Sequence, residues 1–315
     1  LERRILGKSG IEVTRLCLGV LPVGPLQLDL PPVQGARVVR EALERGINFL
    51  DTAEMYRTYT HMEPALEGYR GRVVIASKST AQTYDGMRKA IEDALRALRL
   101  DTVDIFCLHA ARSSPSVFSE RAGAVECLAK AKEEGLIRAM GITTHSVLTV
   151  RAAATQPGID VIFPMVNLTG FGILDGTRDD MVQAIDDAHR AGKGLYGMKA
   201  LAGGNYVKRL EEGFSFVMGI PGLASVAVGM SSPAEVRVNV AIFEGRPIPD
   251  DPEYSIKEKR LFIFPLICVG CGTCVEVCHN GALSLQRDKA VVDPDLCVLC
   301  GYCGPHCKEM AIRVI

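Results

Sequence analysis

A short apolar run follows a helix-like segment and stops on a polar side chain, and this unit recurs along most of the chain. The first run is Leu16–Val20. A helix over Val33–Leu43 is stopped by Gly46, and the run after it ends on Asp51, with Tyr56 shortly beyond. Val73–Ser77 runs into Lys78, Val103–Leu108 into His109, and Ile137–Ile142 into Thr143, Thr144 and His145. Val161–Val166 leads to Asn167, Leu195–Met198 to Lys199, and Ser225–Val228 closes the series before a helix over Pro233–Phe243. Strands that each follow a helix run parallel, and eight strand–helix units exceed what a doubly wound sheet needs. The expected fold is α/β, a (β/α)8 TIM barrel over residues 1–243, with its chemistry at the strand C-terminal ends.

The intervening helices read with varying clarity. Met87, Ile91, Leu95 and Leu98 share one helical face, with Arg88, Glu92, Asp93 and Arg96 elsewhere. Further helices are expected around Pro64–Glu67, around Val117–Glu134, after an N-cap at Ser146, over Asp179–Arg190 and within Tyr206–Met218. A hairpin over Ile5–Val13 precedes the first barrel strand. The chain has 315 residues, 48% of them hydrophobic, which suffices for one large core. Its net charge of −1 gives no case for nucleic acid or a membrane surface as partner. No apolar run has a spanning helix's length and no leader pattern opens the chain, so a cytoplasmic protein is expected.

Cysteine usage breaks sharply near the end. Of eleven cysteines, only Cys17, Cys107 and Cys127 precede residue 268, each in apolar surroundings that suit a small core residue. Cys268, Cys271, Cys274 and Cys278 have the spacing C-x2-C-x2-C-x3-C, and Cys297, Cys300, Cys303 and Cys307 repeat it. Zinc sites use paired ligands separated by longer loops, and disulfides do not suit a cytoplasmic chain. The spacing is instead that of a two-cluster bacterial ferredoxin, in which the fourth cysteine of each run serves the other cluster. Cys268, Cys271, Cys274 and Cys307 are therefore assigned to one [4Fe–4S] cluster, and Cys297, Cys300, Cys303 and Cys278 to the second. His279 and Lys308 stand where proline usually follows the fourth cysteine. Residues 266–315 are expected to form a small α+β ferredoxin-like domain, with a hairpin from Ala282–Leu285 and Ala290–Val292 and a matching strand within Met310–Ile315. Residues 244–265, with Pro247, Pro249, Pro252 and clustered charges, are expected to be an irregular linker.

Asp51, Tyr56, Lys78 and His109 make a chemically coherent set. A phenol titrates too high for easy proton exchange near neutrality, and an ammonium beside it favours the phenolate. Lys78 does this if Asp51 holds it, and a neutral His109 can bond and orient a carbonyl oxygen. Singly, each residue also has a structural reading: a rim ion pair, a loop tyrosine, a hydrogen-bonded core histidine. Asn48-Phe49-Leu50-Asp51-Thr52-Ala53 with Tyr56, Ala76-Ser77-Lys78 and Leu108-His109 resemble the aldo-keto reductase family. Gly135-Leu136-Ile137-Arg138-Ala139-Met140-Gly141 and Gly229-Met230-Ser231-Ser232-Pro233 extend the resemblance over roughly residues 3–243. The whole chain resembles the branch of that family with a C-terminal ferredoxin-like domain. The resemblance implies a barrel reducing carbonyls with NADPH or NADH through a tetrad that falls on Asp51, Tyr56, Lys78 and His109.

The cofactor positions implied by the resemblance are altered. Thr143 and Thr144 stand where Ser-Asn often grips the nicotinamide amide, and Phe163 where a glutamine is found, while Asn167 nearby is kept. Met198 replaces the tyrosine that stacks on nicotinamide, and Glu235 the basic residue near the adenosine 2′-phosphate, which favours NADH over NADPH. Gly229 and Asn239 complete this set. Lys199 and His145 are candidates to meet an anionic cofactor or substrate, or else are rim charges. Ser231 and Ser232 open the last helix, either holding a phosphate on its N–H groups or serving as a plain N-cap.

A nicotinamide moves two electrons and a cubane one, so a flavin between them is also considered. Three readings follow. The first is an oxidoreductase interconverting a small carbonyl and an alcohol, with electrons passing to or from the clusters. The second is an iron-sulfur electron-transfer protein, with or without flavin, that serves a redox partner protein. The third is a redox-sensing binding module. The first is favoured because all four tetrad types survive at matching strand ends.

Overall fold

The computed structural model describes residues 1–254 and 259–315; residues 255–258, inside the expected linker, lie outside the described residues. Strands β1 (Arg3–Ile5) and β2 (Glu12–Thr14) form the N-terminal hairpin. Eight parallel strands then close a barrel in chain order. They are β3 (Leu16–Gly19), β4 (Phe49–Asp51), β5 (Val74–Ser79), β6 (Val103–His109), β7 (Ile137–Thr144), β8 (Val161–Pro164), β9 (Gly194–Met198) and β10 (Ser225–Gly229), with β10 back against β3. The (β/α)8 expectation holds.

Side chains alternate between the two faces of each strand. One alternate set, including Cys17, Phe49, Val74, Ala76, Ile105, Cys107, Ala139, Val161, Phe163 and Tyr196, packs together inside the barrel. Leu6, Ile11 and Val13 of the hairpin join that cluster and plug the N-terminal end. The other set meets the helices in a larger aliphatic layer. Gly141 is a place where the inner wall needs glycine, because a Cβ there would meet the Cys107 sulfur and the Val161 carbonyl, both at 2.7 Å. Asp51 pairs with Ala76, Lys78 with Cys107 and His109 with Thr143. Continuing the inward set upward therefore brings Asp51, Lys78, His109 and Thr143 to the open end. Burial pushes the Cys107 thiol up to about 12 and the Cys127 thiol up to about 11, as befits the inert core cysteines expected.

Several boundaries differ from expectation. Lys78, Thr143 and Thr144 lie within their strands, because the β5–β6 ladder continues to Ser79–Leu108 and the β7–β8 ladder to Thr144–Pro164. Strand β8 stops at Pro164, which has no N–H to extend the ladder. The weak helix near Pro64 spans Tyr59–Leu66. The single helix expected over Val117–Glu134 is two, Val117–Glu120 and Ala122–Glu133. They break at Arg121, which leaves helical angles and donates to the His109 carbonyl at 3.1 Å.

In the C-terminal region, β12 (Leu283–Gln286) and β13 (Lys289–Val292) form the expected hairpin. The expected irregular stretch up to Pro265 is corrected, since β11 (Leu261–Ile263) lies within it. Leu261 and Ile263 are buried, a two-residue alternation that the upstream prolines and charges mask. Its partner is β14 (Ile312–Val314), so the terminal strand does not join the hairpin. Upstream, the linker is pinned to the last barrel helix, where Arg237 donates to Asp251 at 2.5 Å and Glu253 at 2.6 Å. Strand β14 seats on the loop after β9. A Cβ on Gly204, which has φ +90°, would meet the Val314 carbonyl at 2.2 Å, and one on Gly203 would meet the Arg313 side chain at 2.8 Å. Only glycine offers both the left-handed backbone and the clearance there.

Candidate active site

Lys78 is 2% exposed and donates to Asp51 Oδ1 at 2.7 Å and to the Thr52 carbonyl at 2.6 Å. The second Asp51 oxygen accepts from the Tyr196 hydroxyl at 3.1 Å, so the carboxylate is held from two sides. Tyr196 stacks on Phe163 with ring centroids 3.9 Å apart and planes 13° from parallel. Phe163 therefore stands where the resemblance placed a glutamine, but packs under the ion pair, with Lys78 Nζ 5.4 Å from its ring centre. Burial works against the Lys78 ammonium, but Asp51 and Tyr56 outweigh it and hold the Lys78 pKa up. The same burial raises the Asp51 carboxyl somewhat, against the pull of Lys78. The geometry is that of a closed ion pair.

Tyr56 sits at the end of a single helical turn, Glu54–Tyr56, directly after β4. Its ring centre lies 4.8 Å from Lys78 Nζ and 5.9 Å from the His109 ring, which it meets edge-on. All four tetrad candidates thus converge. One expectation needs correction. Lys78 pulls the phenol down as foreseen, but burial is the larger effect, and the Tyr56 pKa is raised overall. Burial, then Lys78, Lys199 and Arg121, hold the His109 pKa at about 3, so its ring is neutral across the ordinary pH range. His109 Nδ1 has no hydrogen-bond partner among the described residues.

Asp51 and Tyr56 line a cavity of about 210 Å³ at the open end of the barrel. Met198, Lys199, Gly229, Glu235 and Asn239 line it too, as do Lys259 and Arg313 from the C-terminal part of the chain. Other cofactor candidates are engaged elsewhere. Thr144 faces away from the barrel interior, and its Oγ1 accepts from the Ser146 N–H at 3.1 Å. Asn167 is fully buried, and its amide shapes its own loop through both backbone groups of Phe171. Thr143 faces inward, and its Oγ1 has no partner among the described residues. Ser232 is the N-cap, accepting from the Glu235 N–H at 3.2 Å. Ser231 gives its N–H and hydroxyl to the Glu235 carboxylate at 2.6 and 2.9 Å, and Lys259 pairs with the same carboxylate. An internal anion thus fills the helix N-terminus. Lys199 Nζ lies 3.3 Å from His145 Nε2.

Sequence reasoning missed Tyr196 and Arg313. Tyr196 had a signal, being two residues before Met198 on one short strand and hence on the same inner face.

In the C-terminal region, one cavity of about 160 Å³ is lined by Cys268, Cys271, Cys274 and Cys307 together. Among the described residues no three ligand-type side chains converge as they would around a single metal ion; these four ring an open space. Backbone N–H groups point at sulfur: Ala290 at Cys268 (3.4 Å), Ala282 at Cys278 (3.3 Å) and Ala311 at Cys307 (3.2 Å). Burial, then Cys297 and Cys300, push the Cys303 thiol up to about 12.

Residues 15–216 match the Aldo/keto reductase family, and residues 267–311 match the 4Fe-4S dicluster domain. The chain is 29% identical over 187 residues to 6-dehydroglucose reductase of Novosphingobium aromaticivorans, covering 50% of this chain and 59% of that protein. It is 29% identical over 199 residues to L-galactose dehydrogenase of Arabidopsis thaliana, covering 58% and 60%. The chain thus spans about three-fifths of those two relatives. The uncharacterized oxidoreductase YqkF of Bacillus subtilis is 21% identical over 300 residues, covering 80% of this chain and 94% of that protein. Among solved structures, the aldo-keto reductase AKR11C1 of Bacillus halodurans superposes with a TM-score of 0.65 at 22% identity, over 79% of this chain and 93% of that one.

Proposed function

The chain belongs to the aldo/keto reductase family and carries a 4Fe-4S dicluster domain, and from that premise we propose that it interconverts a small carbonyl and an alcohol through Asp51, Tyr56, Lys78 and His109. The observation that carries this reading is their convergence around one buried ion pair, with Lys78 locked onto Asp51, His109 neutral beside Tyr56, and Asp51 and Tyr56 lining the cavity. Tyr56 gives its phenolic proton to the substrate oxygen in reduction and takes it back in oxidation. Lys78, fixed by Asp51, stabilises the phenolate left behind, and its pull on Tyr56 grows in value as the closing substrate excludes water. Neutral His109 donates a hydrogen bond to the same oxygen and orients it. Tyr196 and Phe163 keep Asp51 and Lys78 from rearranging.

A nicotinamide dinucleotide, when bound, supplies or accepts the hydride. Met198, Gly229, Glu235 and Asn239 line the place for it. Among the described residues the buried Asn239 Oδ1 and Thr143 Oγ1 atoms have no partner, and Asn239 lines the cavity. Glu235 already fills the helix N-terminus, which disfavours a 2′-phosphate, so NADH is the better fit. Cys268, Cys271, Cys274 and Cys307 hold one cluster, the set that shares a cavity, and Cys297, Cys300, Cys303 and Cys278 hold the other. Exposed Leu266, Val269, Leu296 and Val298 beside the cysteine loops suit contact with a redox partner protein.

The test is turnover of Tyr56→Phe in anaerobically prepared protein, together with the visible spectrum on adding NADH and a check for released flavin. The reading expects turnover to fall about 100- to 10,000-fold with the cluster spectrum intact. Unchanged turnover would sink the tetrad assignment and leave an electron-transfer protein.

A further inference from the structure

The open end of the barrel holds more buried positive charge than the tetrad uses. Arg313 is 8% exposed, and its only described side-chain hydrogen bond runs from Nη1 to the Ile312 carbonyl at 2.9 Å. Among the described residues its other donors meet no acceptor and no ion pair includes it. Lys199, on a left-handed backbone with φ +60°, faces the same cavity, and among the described residues its ammonium bonds only the His145 ring. His145 is 7% exposed and Arg112 is spent on Glu309 at 3.3 Å. Burial, then Arg313 and Arg112, hold Lys199 well below its ordinary pKa.

Arg313 and Lys199 line this cavity together with Tyr56 and Asp51. Lys199 bonds His145, two residues beyond the Thr143 that pairs with His109. Of the other charged groups lining the cavity, Glu235 and Lys259 neutralise each other. The Arg313 side chain passes where Gly203 leaves room for it, so its position is built by both parts of the chain.

We propose that Arg313 of the cluster domain and Lys199 of the barrel form an anion-recognition pair, so that the substrate is a carbonyl or alcohol compound bearing a carboxylate or phosphate. This rests on the reductase reading of the same cavity. A guanidinium and an ammonium together suit an oxyanion, which both can donate to. The anion is assigned to the substrate rather than the dinucleotide because Arg313 and Lys199 share the cavity wall with Tyr56 and Lys199 bonds the residue that follows the strand end paired with His109.

The test uses full-length holoprotein, prepared anaerobically, in calorimetric titrations with oxalate, inorganic phosphate and the neutral oxamide. Wild type is expected to bind oxalate or phosphate but not oxamide. Lys199→Gln and Arg313→Gln are expected to weaken that binding about 10- to 100-fold, with the cluster spectrum unchanged. Arg313 also helps seat β14, so Lys199→Gln decides if the Arg313 variant disturbs the clusters. Anion binding equal to oxamide, or unchanged in Lys199→Gln, overturns the proposal. NADH that displaces oxalate, and whose own affinity falls in both variants, assigns the pair to the dinucleotide and overturns the substrate assignment. Failure of the reductase reading would look different, with Tyr56→Phe sparing turnover while oxalate still binds.

Discussion

The barrel and the cluster domain solve the folding problem in opposite ways. In the barrel, dozens of aliphatic side chains are fully buried in two concentric layers, one inside the strands and one beneath the helices. The cluster domain's core holds ten buried side chains, three of them cysteines, and leaves Leu266 87%, Val269 63% and Tyr302 61% exposed. Its strands and helices are three or four residues long, too short to stand on local hydrogen bonds. The barrel core supplies its own driving force, whereas the smaller domain draws order from what its cysteines hold.

The largest effect that can break this contrast is removal of iron. Chelation under reducing conditions is expected to erase amide-exchange protection across residues 259–315 while the barrel strands keep theirs. Equal protection of the tail with and without iron would mean that its small core suffices.

The barrel should break instead at its buried ion pair. Lys78→Met strands the Asp51 carboxylate and should cost about 3–5 kcal/mol, read as a lower denaturant midpoint with the cluster absorbance unaltered. A loss below about 1 kcal/mol would mean that water reaches the pair.

Gly204→Ala probes the seam. Its Cβ would meet the Val314 carbonyl at 2.2 Å on a left-handed backbone, so a loss of about 1–3 kcal/mol is expected. Limited proteolysis should then release the tail faster while the isolated barrel melts as before.

The smallest effect is with pH. The folded state holds His109 near 3, whereas the unfolded chain takes up its proton near 6.5. Its contribution is complete above about 6.5 and is lost as pH falls toward about 3. His109→Gln should flatten part of the barrel's loss of melting temperature on acidification. An unchanged slope would place the acid sensitivity elsewhere.

What could be read from the sequence follows how local each signal is. The convergence of Asp51, Tyr56, Lys78 and His109 was legible because Asp51, Lys78 and His109 each end or nearly end an apolar run, and the match to a 4Fe-4S dicluster domain because the cysteine spacing is local in sequence. Tyr196 was hidden inside a strand whose apolar neighbours gave it no contrast. Strand β11 was hidden because three residues carry little periodicity beside prolines and charges. Arg313 was out of reach, since its environment is made by Gly203, Lys199 and Tyr56, distant in sequence. The raised phenol of Tyr56 was missed because spacing identifies neighbours but not how much water they exclude.

Arg313 lies on a strand of one domain and in a cavity of the other. Anything that grips it there ties ligand occupancy to domain docking, and such linkage is reciprocal. If an anion in the cavity steadies the cluster domain by some factor, a firmly seated cluster domain must tighten the anion by the same factor. Loss of iron from the tail would then register in the barrel cavity as weaker substrate affinity, with no barrel residue having changed.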